Sequence, residues 1–337
     1  MPFELIKPGT HIDFIGQTKY VVAFSLAIIA LGIAAMFVRE PAIRLGVDFT
    51  GGMEIQLQFT KPEVVNETSI RDVLAGFDLQ ASDVVRLGEA GDGAYLLRFT
   101  RASAGDQNEL VDQLRDAFSA KLGETTVERV EFVGPKVGED LRRNGLVSLA
   151  VASLLLLIYI GFRFTPIFAP GAIVAQIHDV VVTSAMLVIL GCEFDLTVLG
   201  ALLAILGYSI NDKIVVYDRI RENLSSRTAY DFPTMVNDSL NQTLSRTVLT
   251  GGTAIFASFA LYFWGGPVIE TFGLAMAIGI IVGTYSSLYI TTPILLWLQT
   301  RYGKTVTAGG GKTAPGAKPA AKPGGKRSGE RGAGRLA

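Results

Sequence analysis

Cysteine is all but missing from this chain, with one residue, Cys192, among 337. That excludes an intrachain disulfide. Histidine is almost as rare, at two residues, and no Cys/His cluster has metal-ligand spacing, so no metal or cofactor is expected. Charge is thin as well: 18% of residues are charged against 49% hydrophobic, and the mean hydropathy is positive. Such a balance excludes an ordinary soluble protein and indicates a membrane protein. The formal net charge of −1 hides a basic C-terminal tail and a two-signed stretch from Arg39 to Arg143, so global charge says little about partners. No basic residue and no helix start follow the paired glycines of Gly46-Val47-Asp48-Phe49-Thr50-Gly51-Gly52, which argues against a phosphate cradle.

What is present is a series of long apolar runs. Residues 1–19 mix apolar and polar side chains as an interfacial N-terminus does. Tyr20 to Val38 is long enough to span a bilayer and has no small-residue cleavage site at its end, so it reads as an uncleaved first span rather than a signal peptide. Further spans are expected at about 145–164, 168–190, 196–217, 247–264 and 271–298, with a polar segment at 218–246. Residues 301–337 are Gly, Ala, Pro and basic residues with little to bury, and should be disordered. The fold class expected is a multi-pass α-helical membrane protein of six spans.

Between the first two spans, residues 39–143 read as a soluble domain. Met53 to Phe59 alternates like a strand, Glu67 to Phe77 has helical spacing, and Asp83 to Leu87 and Ala94 to Thr100 are strand-like. A helix from about Asp106 to Leu122 and a strand from Thr125 to Val133 follow. The order β-α-β-β-α-β predicts an α+β ferredoxin-like domain. Gly51-Gly52 reads as the turn into it, and Gly134-Pro135-Lys136-Val137-Gly138 as the hinge out of it.

Basic residues in short connections set orientation. Lys7, Lys19, Arg163, the Lys213 to Arg246 segment and the tail fall on one side of six spans, which makes that side cytoplasmic. The loops Gly191 to Asp195 and Gly265 to Glu270 carry no basic residue, in keeping with the opposite side. The domain is therefore expected outside the cytoplasm.

A carboxylate inside a span is a functional candidate by default. Asp212 lies inside the fourth span, and Arg246, placed at the opening of the fifth, falls in a similar layer. The two could meet, and a guanidinium there would favour the charged form of a carboxylate that gains and loses a proton. Arg246 alone equally suits a snorkelling anchor. His178 and Asp179 in the third span form a secondary polar site, with His178 read as a helix-to-helix hydrogen-bonder. Lys213 follows Asp212 but points about 100° away from it and is expected to reach the interface. Two membrane aspartates also raise an intramembrane aspartyl protease, but the chain has no Gly-x-Gly-Asp sequence to support it. A passive scaffold is the third possibility.

Gly207 to Asn223, with Phe194 to Val198 before it, Ser245-Arg246-Thr247 after it, and the Gly46 to Gly52 and Val133 to Leu141 segments, closely resemble the SecF family, the smaller subunits of the SecD–SecF membrane complex. The likeness runs from about Ile12 to Trp297. It implies half of an RND-type transporter, with six further spans from SecD. It also implies a non-enzymatic role after the SecA-driven SecYEG channel in a bacterial inner membrane, using the proton-motive force to draw unfolded polypeptide across and release it. YajC and YidC enter as further partners beside membrane lipids, and no nucleic acid is required. In the family, an aspartate of the fourth helix and an arginine of the fifth take part in proton conduction, which implies that role for Asp212 and Arg246. Lys213 departs from the small polar residue expected after that aspartate. An exporter of small molecules or lipids is the alternative within the same superfamily.

Overall fold

The structure is a computed structural model that describes residues 11–39, 41–77, 81–87, 91–99, 107–164, 166–226 and 231–302. Residues 1–10 of the expected interfacial segment and the basic tail from 303 onward lie outside the described residues. Among the described residues, six helical stretches are long and apolar enough to cross a membrane. They are α1 (Phe14–Val38), α5 (Pro135–Arg163), α6 (Ala169–Leu190), α7 (Leu196–Ser226), α8 (Phe232–Trp264) and the pair α9 (Pro267–Tyr289) and α10 (Thr291–Tyr302). Between α1 and α5 lie α2 (Val47–Thr50), β1 (Gly52–Phe59), α3 (Glu67–Leu74), β2 (Ala81–Leu87), β3 (Ala94–Phe99), α4 (Gln107–Leu122) and β4 (Thr125–Val133).

The four strands form one sheet in the order β2-β3-β1-β4, with every neighbouring pair antiparallel. Period-two alternation decides its faces. Met53, Ile55, Leu57 and Phe59 from β1 and Tyr95, Leu97 and Phe99 from β3 bury one face, against Ile70, Val73 and Leu74 of α3 and Leu114 and Phe118 of α4. Asn66 starts α3 by accepting from the Ser69 amide at 2.8 Å while the Ser69 hydroxyl accepts the Asn66 amide in return, a reciprocal cap.

Several boundaries differ from the sequence expectation. The first membrane helix begins at Phe14, not Tyr20, because Asp13 caps it through Gly16 N at 2.8 Å. The amides of Ile12 and Phe14 are also taken up by Asn241 and Asn237 of α8 at 2.8 and 2.9 Å. The polar stretch expected between the fourth and fifth spans is largely helix, since α7 runs on to Ser226 and α8 starts at Phe232. Met235, Val236, Leu240 and Leu244 of α8 bury against Val216, Tyr217 and Ile220 of α7, and Asn223 donates to Ser239 at 2.8 Å. The sixth span is interrupted at Ile290, where Pro293 removes one helical donor and crowds the Tyr289 carbonyl. Thr291 and Thr292 hydroxyls, donating to Ser286 O at 3.2 Å and Leu288 O at 2.5 Å, take up acceptors there.

The domain is fastened to the α6–α7 loop. Phe194 exchanges backbone bonds with Arg44 O and Gly46 N at 2.8 Å each, and Asp48 accepts the Leu196 amide at 3.0 Å. Arg39 donates to the Val188 and Ile189 carbonyls at 2.8 and 3.1 Å, filling acceptors that the end of α6 leaves open. Arg98 on β3 pairs with Glu54 on β1 at 2.9 Å and with Glu193 of the loop at 2.6 Å. The second fastening is backbone against backbone. Gly51 has φ +72°, and a Cβ on Gly138 would lie 2.7 Å from Gly51 N, so the turn between α2 and β1 and the first turn of α5 approach as only glycines permit.

Gly138→Ala is expected to cost about 1–3 kcal/mol through that overpacking, read as a lower unfolding midpoint in detergent. Gly134→Ala, where nothing lies within 4 Å of the added carbon, should stay within about 0.5 kcal/mol of the parent. The joint also predicts a pH dependence. Burial first, then the charges of Glu54 and Asp195, push Glu193 above the usual carboxylate range despite Arg98. Burial first, then Asp48, does the same to Asp195. The folded state thus binds these protons more tightly than the unfolded chain. The stability involved is complete below the ordinary carboxylate range and is lost as pH rises through the raised values. Melting midpoints should rise on mild acidification, and Glu193→Gln with Asp195→Asn should flatten that rise.

Candidate functional site

The middle of the bundle is built around α7, which packs against α5, α6, α8 and α9. Glycine brings α9 close: a Cβ on Gly283 would lie 2.8 Å from Ser209 Oγ. Small residues at helix crossings allow this contact in an apolar medium. On the α6 side, Ser209 and Lys213 share a face of α7 at a spacing of four residues. Opposite them, midway along α6, is Asp179.

Asp179 and Lys213 are both 0% exposed. Lys213 Nζ meets Asp179 Oδ2 at 2.7 Å and also donates to Ser209 Oγ, while Ser209 Oγ donates to the same Asp179 oxygen at 2.5 Å. Asp179 Oδ1 lies 3.1 Å from His178 Nδ1. Tyr285 of α9 stands edge-on to the His178 ring at 5.6 Å, and its hydroxyl is 3.0 Å from Ser25 Oγ on α1. Both oxygens of Asp179 are therefore occupied, and one of its partners is a full positive charge.

Asp212 is arranged differently. It is 3% exposed, no ion pair reaches it among the described residues, and its buried Oδ2 has no hydrogen-bond partner among them. Lys213 and Arg246 both lie within electrostatic reach. Arg246 does not open a helix as expected, because α8 begins at Phe232 and places it nearly midway along. Its side chain is exposed on the flank of the bundle, so Asp212 and Arg246 share a region without touching.

The structure corrects two placements. Lys213 does not extend to the interface; its ammonium turns inward to Asp179, because a buried carboxylate attracts a counter-charge strongly when no water competes. His178 bonds its own neighbour Asp179 rather than a group on another helix. Sequence reasoning missed the Asp179–Ser209–Lys213 cluster. The signal for it was the four-residue spacing of Ser209 and Lys213, read with an acid at mid-depth in a neighbouring span. Asp179 faces Lys213 rather than Asp212, so the two aspartates do not form the carboxylate pair that an aspartyl protease requires.

Removing one partner of a buried ion pair leaves an uncompensated charge and costs about 3–5 kcal/mol. Asp179→Asn is accordingly expected to lower the amount of folded protein recovered from membranes. Adding Lys213→Met should restore it, measured as monodisperse protein after extraction.

The chain resembles known proteins over most of its length. Residues 113–301 match the family described as protein export membrane protein SecD/SecF, C-terminal, and residues 41–63 match the SecD/SecF GG motif, which includes the Gly51-Gly52 turn. The protein translocase subunit SecF of Desulfurispirillum indicum is 39% identical over 298 residues, covering 87% of this chain and 93% of that protein. The protein translocase subunit SecDF of Thermus thermophilus is 38% identical over 304 residues, covering 89% of this chain but 40% of that longer protein. A crystal structure of the Thermus SecDF, described as a translocon-associated membrane protein, superposes with a TM-score of 0.77 at 36% identity, and this chain spans 40% of its length. SecDF in a super-membrane-facing form gives a TM-score of 0.63. From its sequence, its six membrane helices and these relatives, the chain belongs to the SecF family of protein translocase subunits.

Proposed function

We propose that this subunit of the Sec translocon accessory complex couples proton movement to late-stage protein translocation, with Asp212 as the group that takes up and releases the proton. The observation that carries this reading is the buried Oδ2 of Asp212, left without a hydrogen-bond partner among the described residues in a bundle where the neighbouring acid is in a direct ion pair. Arg246 supplies a permanent positive charge near it and disfavours proton retention. No cofactor enters; the coupling ion is the proton. One charge crossing the membrane releases roughly 2.3 kcal/mol per 100 mV, enough for a few protons to shift a domain between states a few kcal/mol apart.

The partner is SecD, carried within the same chain in the Thermus relative. The exposed side of α7, with Gly200, Ala204, Gly207 and Asn211, supports a docking place for a partner helix, since small residues let backbones approach. SecYEG, with YajC and YidC, belongs to the same proposal, and unfolded polypeptide is the substrate. Residues 52–133 are read as a ferredoxin-like domain outside the cytoplasm. Support comes from the strand order, the antiparallel neighbours and the two helices on one face, together with the basic residues at the opposite ends of the spans. Both termini then lie in the cytoplasm. The joint of Gly51, Gly52, Gly134, Pro135 and Gly138 passes helix motion to the domain.

Asp212→Asn, in membranes where abundance and association with SecD match the parent, is expected to abolish the stimulation of translocation by the proton-motive force. Undiminished stimulation sinks the assignment.

A further inference from the structure

We propose that Lys213 is a built-in counter-cation that fixes Asp179 as a permanently satisfied carboxylate, leaving Asp212 the one acid of the pair able to exchange a proton. The inference rests on the proton-coupling reading of Asp212 and adds a positioning residue to it.

Three observations carry it. Lys213 and Asp179 are each 0% exposed, so neither charge is relieved by solvent. The contact is direct at 2.7 Å, and Ser209 closes a three-membered ring by accepting from the ammonium and donating to the carboxylate. The remaining oxygen of Asp179 is taken by His178. A carboxylate in direct contact with a buried ammonium is held in its charged form, whereas Asp212 Oδ2 is buried without any hydrogen-bond partner among the described residues.

The titratable and charged groups around the pair are limited. On α6 there is His178, on α7 Tyr208 and Asp212, on α8 Arg246, and on α9 Tyr285, whose hydroxyl engages Ser25 of α1. Lys19 of α1, Arg163 of α5 and Arg301 of α10 lie toward helix ends. Lys213 is the cation in contact with Asp179. Without it, Asp179 becomes a buried carboxylate lacking a charge partner, and such a group takes up a proton instead of remaining ionised. The bundle would then hold two exchanging acids on adjoining helices. Lys213 also ties α6 to α7, so the helix carrying Asp212 moves with the helix that ends at the domain joint.

The test is infrared difference spectroscopy of the full chain with SecD in lipid vesicles, following the carbonyl stretch of protonated carboxylic acids as pH is stepped. The parent should show a titrating band that is lost in Asp212→Asn and unchanged in Asp179→Asn carrying Lys213→Met. Lys213→Met alone should gain a second titrating band that Asp179→Asn removes, and Lys213→Arg, which keeps the charge, should gain none. A folded Lys213→Met protein without the second band overturns the proposal, as does a parent band already lost on replacing Asp179. If Asp212 proves not to be the coupling acid, the parent band is missing and Asp212→Asn translocates normally. The second band in Lys213→Met still reports on Asp179 independently of that outcome.

Discussion

A charge inside a bilayer has no water to fall back on, and the arrangement of this bundle follows from where its few charges find partners. Asp179 and Lys213 meet at 2.7 Å with neither exposed. At that separation, away from water, their attraction exceeds anything available to the same groups at a surface. The pair sets the rotation of α6 about its axis relative to α7, because both side chains must point into one crossing. Once that rotation is set, Asp212, one residue before Lys213, is turned toward the α8 side and away from Asp179. Segregating the two aspartates leaves one neutralised and the other open.

The same two helices lead to the sheet domain. Their connecting loop, Gly191 to Asp195, is held by Arg39, by backbone bonds to Phe194, by Asp48 and by the Arg98–Glu193 pair. Two carboxylates, Glu54 and Glu193, share the Arg98 guanidinium there, and burial pushes Glu193 and Asp195 above the usual carboxylate range. A second joint, Gly51 against Gly138, is steric. One attachment is held by charge and hydrogen bonds and the other by the close approach of two backbones.

Much of this was legible in the residues. The alternation of Met53 to Phe59 and Ala94 to Phe99 marks strands because a sheet with one covered face must bury every second side chain. Apolar runs mark spans because backbone polar groups in lipid have to bond within a helix. Asp212 stands out for the same reason, as an expensive group with no anchoring use. Segments polar on one side only were harder to read. From Asp218 to Arg246 the charges mark only a polar segment, yet Met235, Val236, Leu240 and Leu244 form a buried stripe on a helix. The break at Ile290 is small in sequence terms, a single proline beyond it, and is hidden within a continuous apolar run.

Local pattern, read without any structure, determined the number of spans, the order of strands and helices along the domain, the family motifs and the presence of an acid inside the fourth span. These depend on hydropathy and spacing along one chain. Which acid is paired was decided by tertiary structure alone. Lys213 adjoins Asp212 in sequence and bonds Asp179 in space, because successive helical residues diverge by about 100° while the packing of α6 against α7 brings distant positions together. The rotation of one helix against another is a property of the whole bundle, and no stretch of residues encodes it separately.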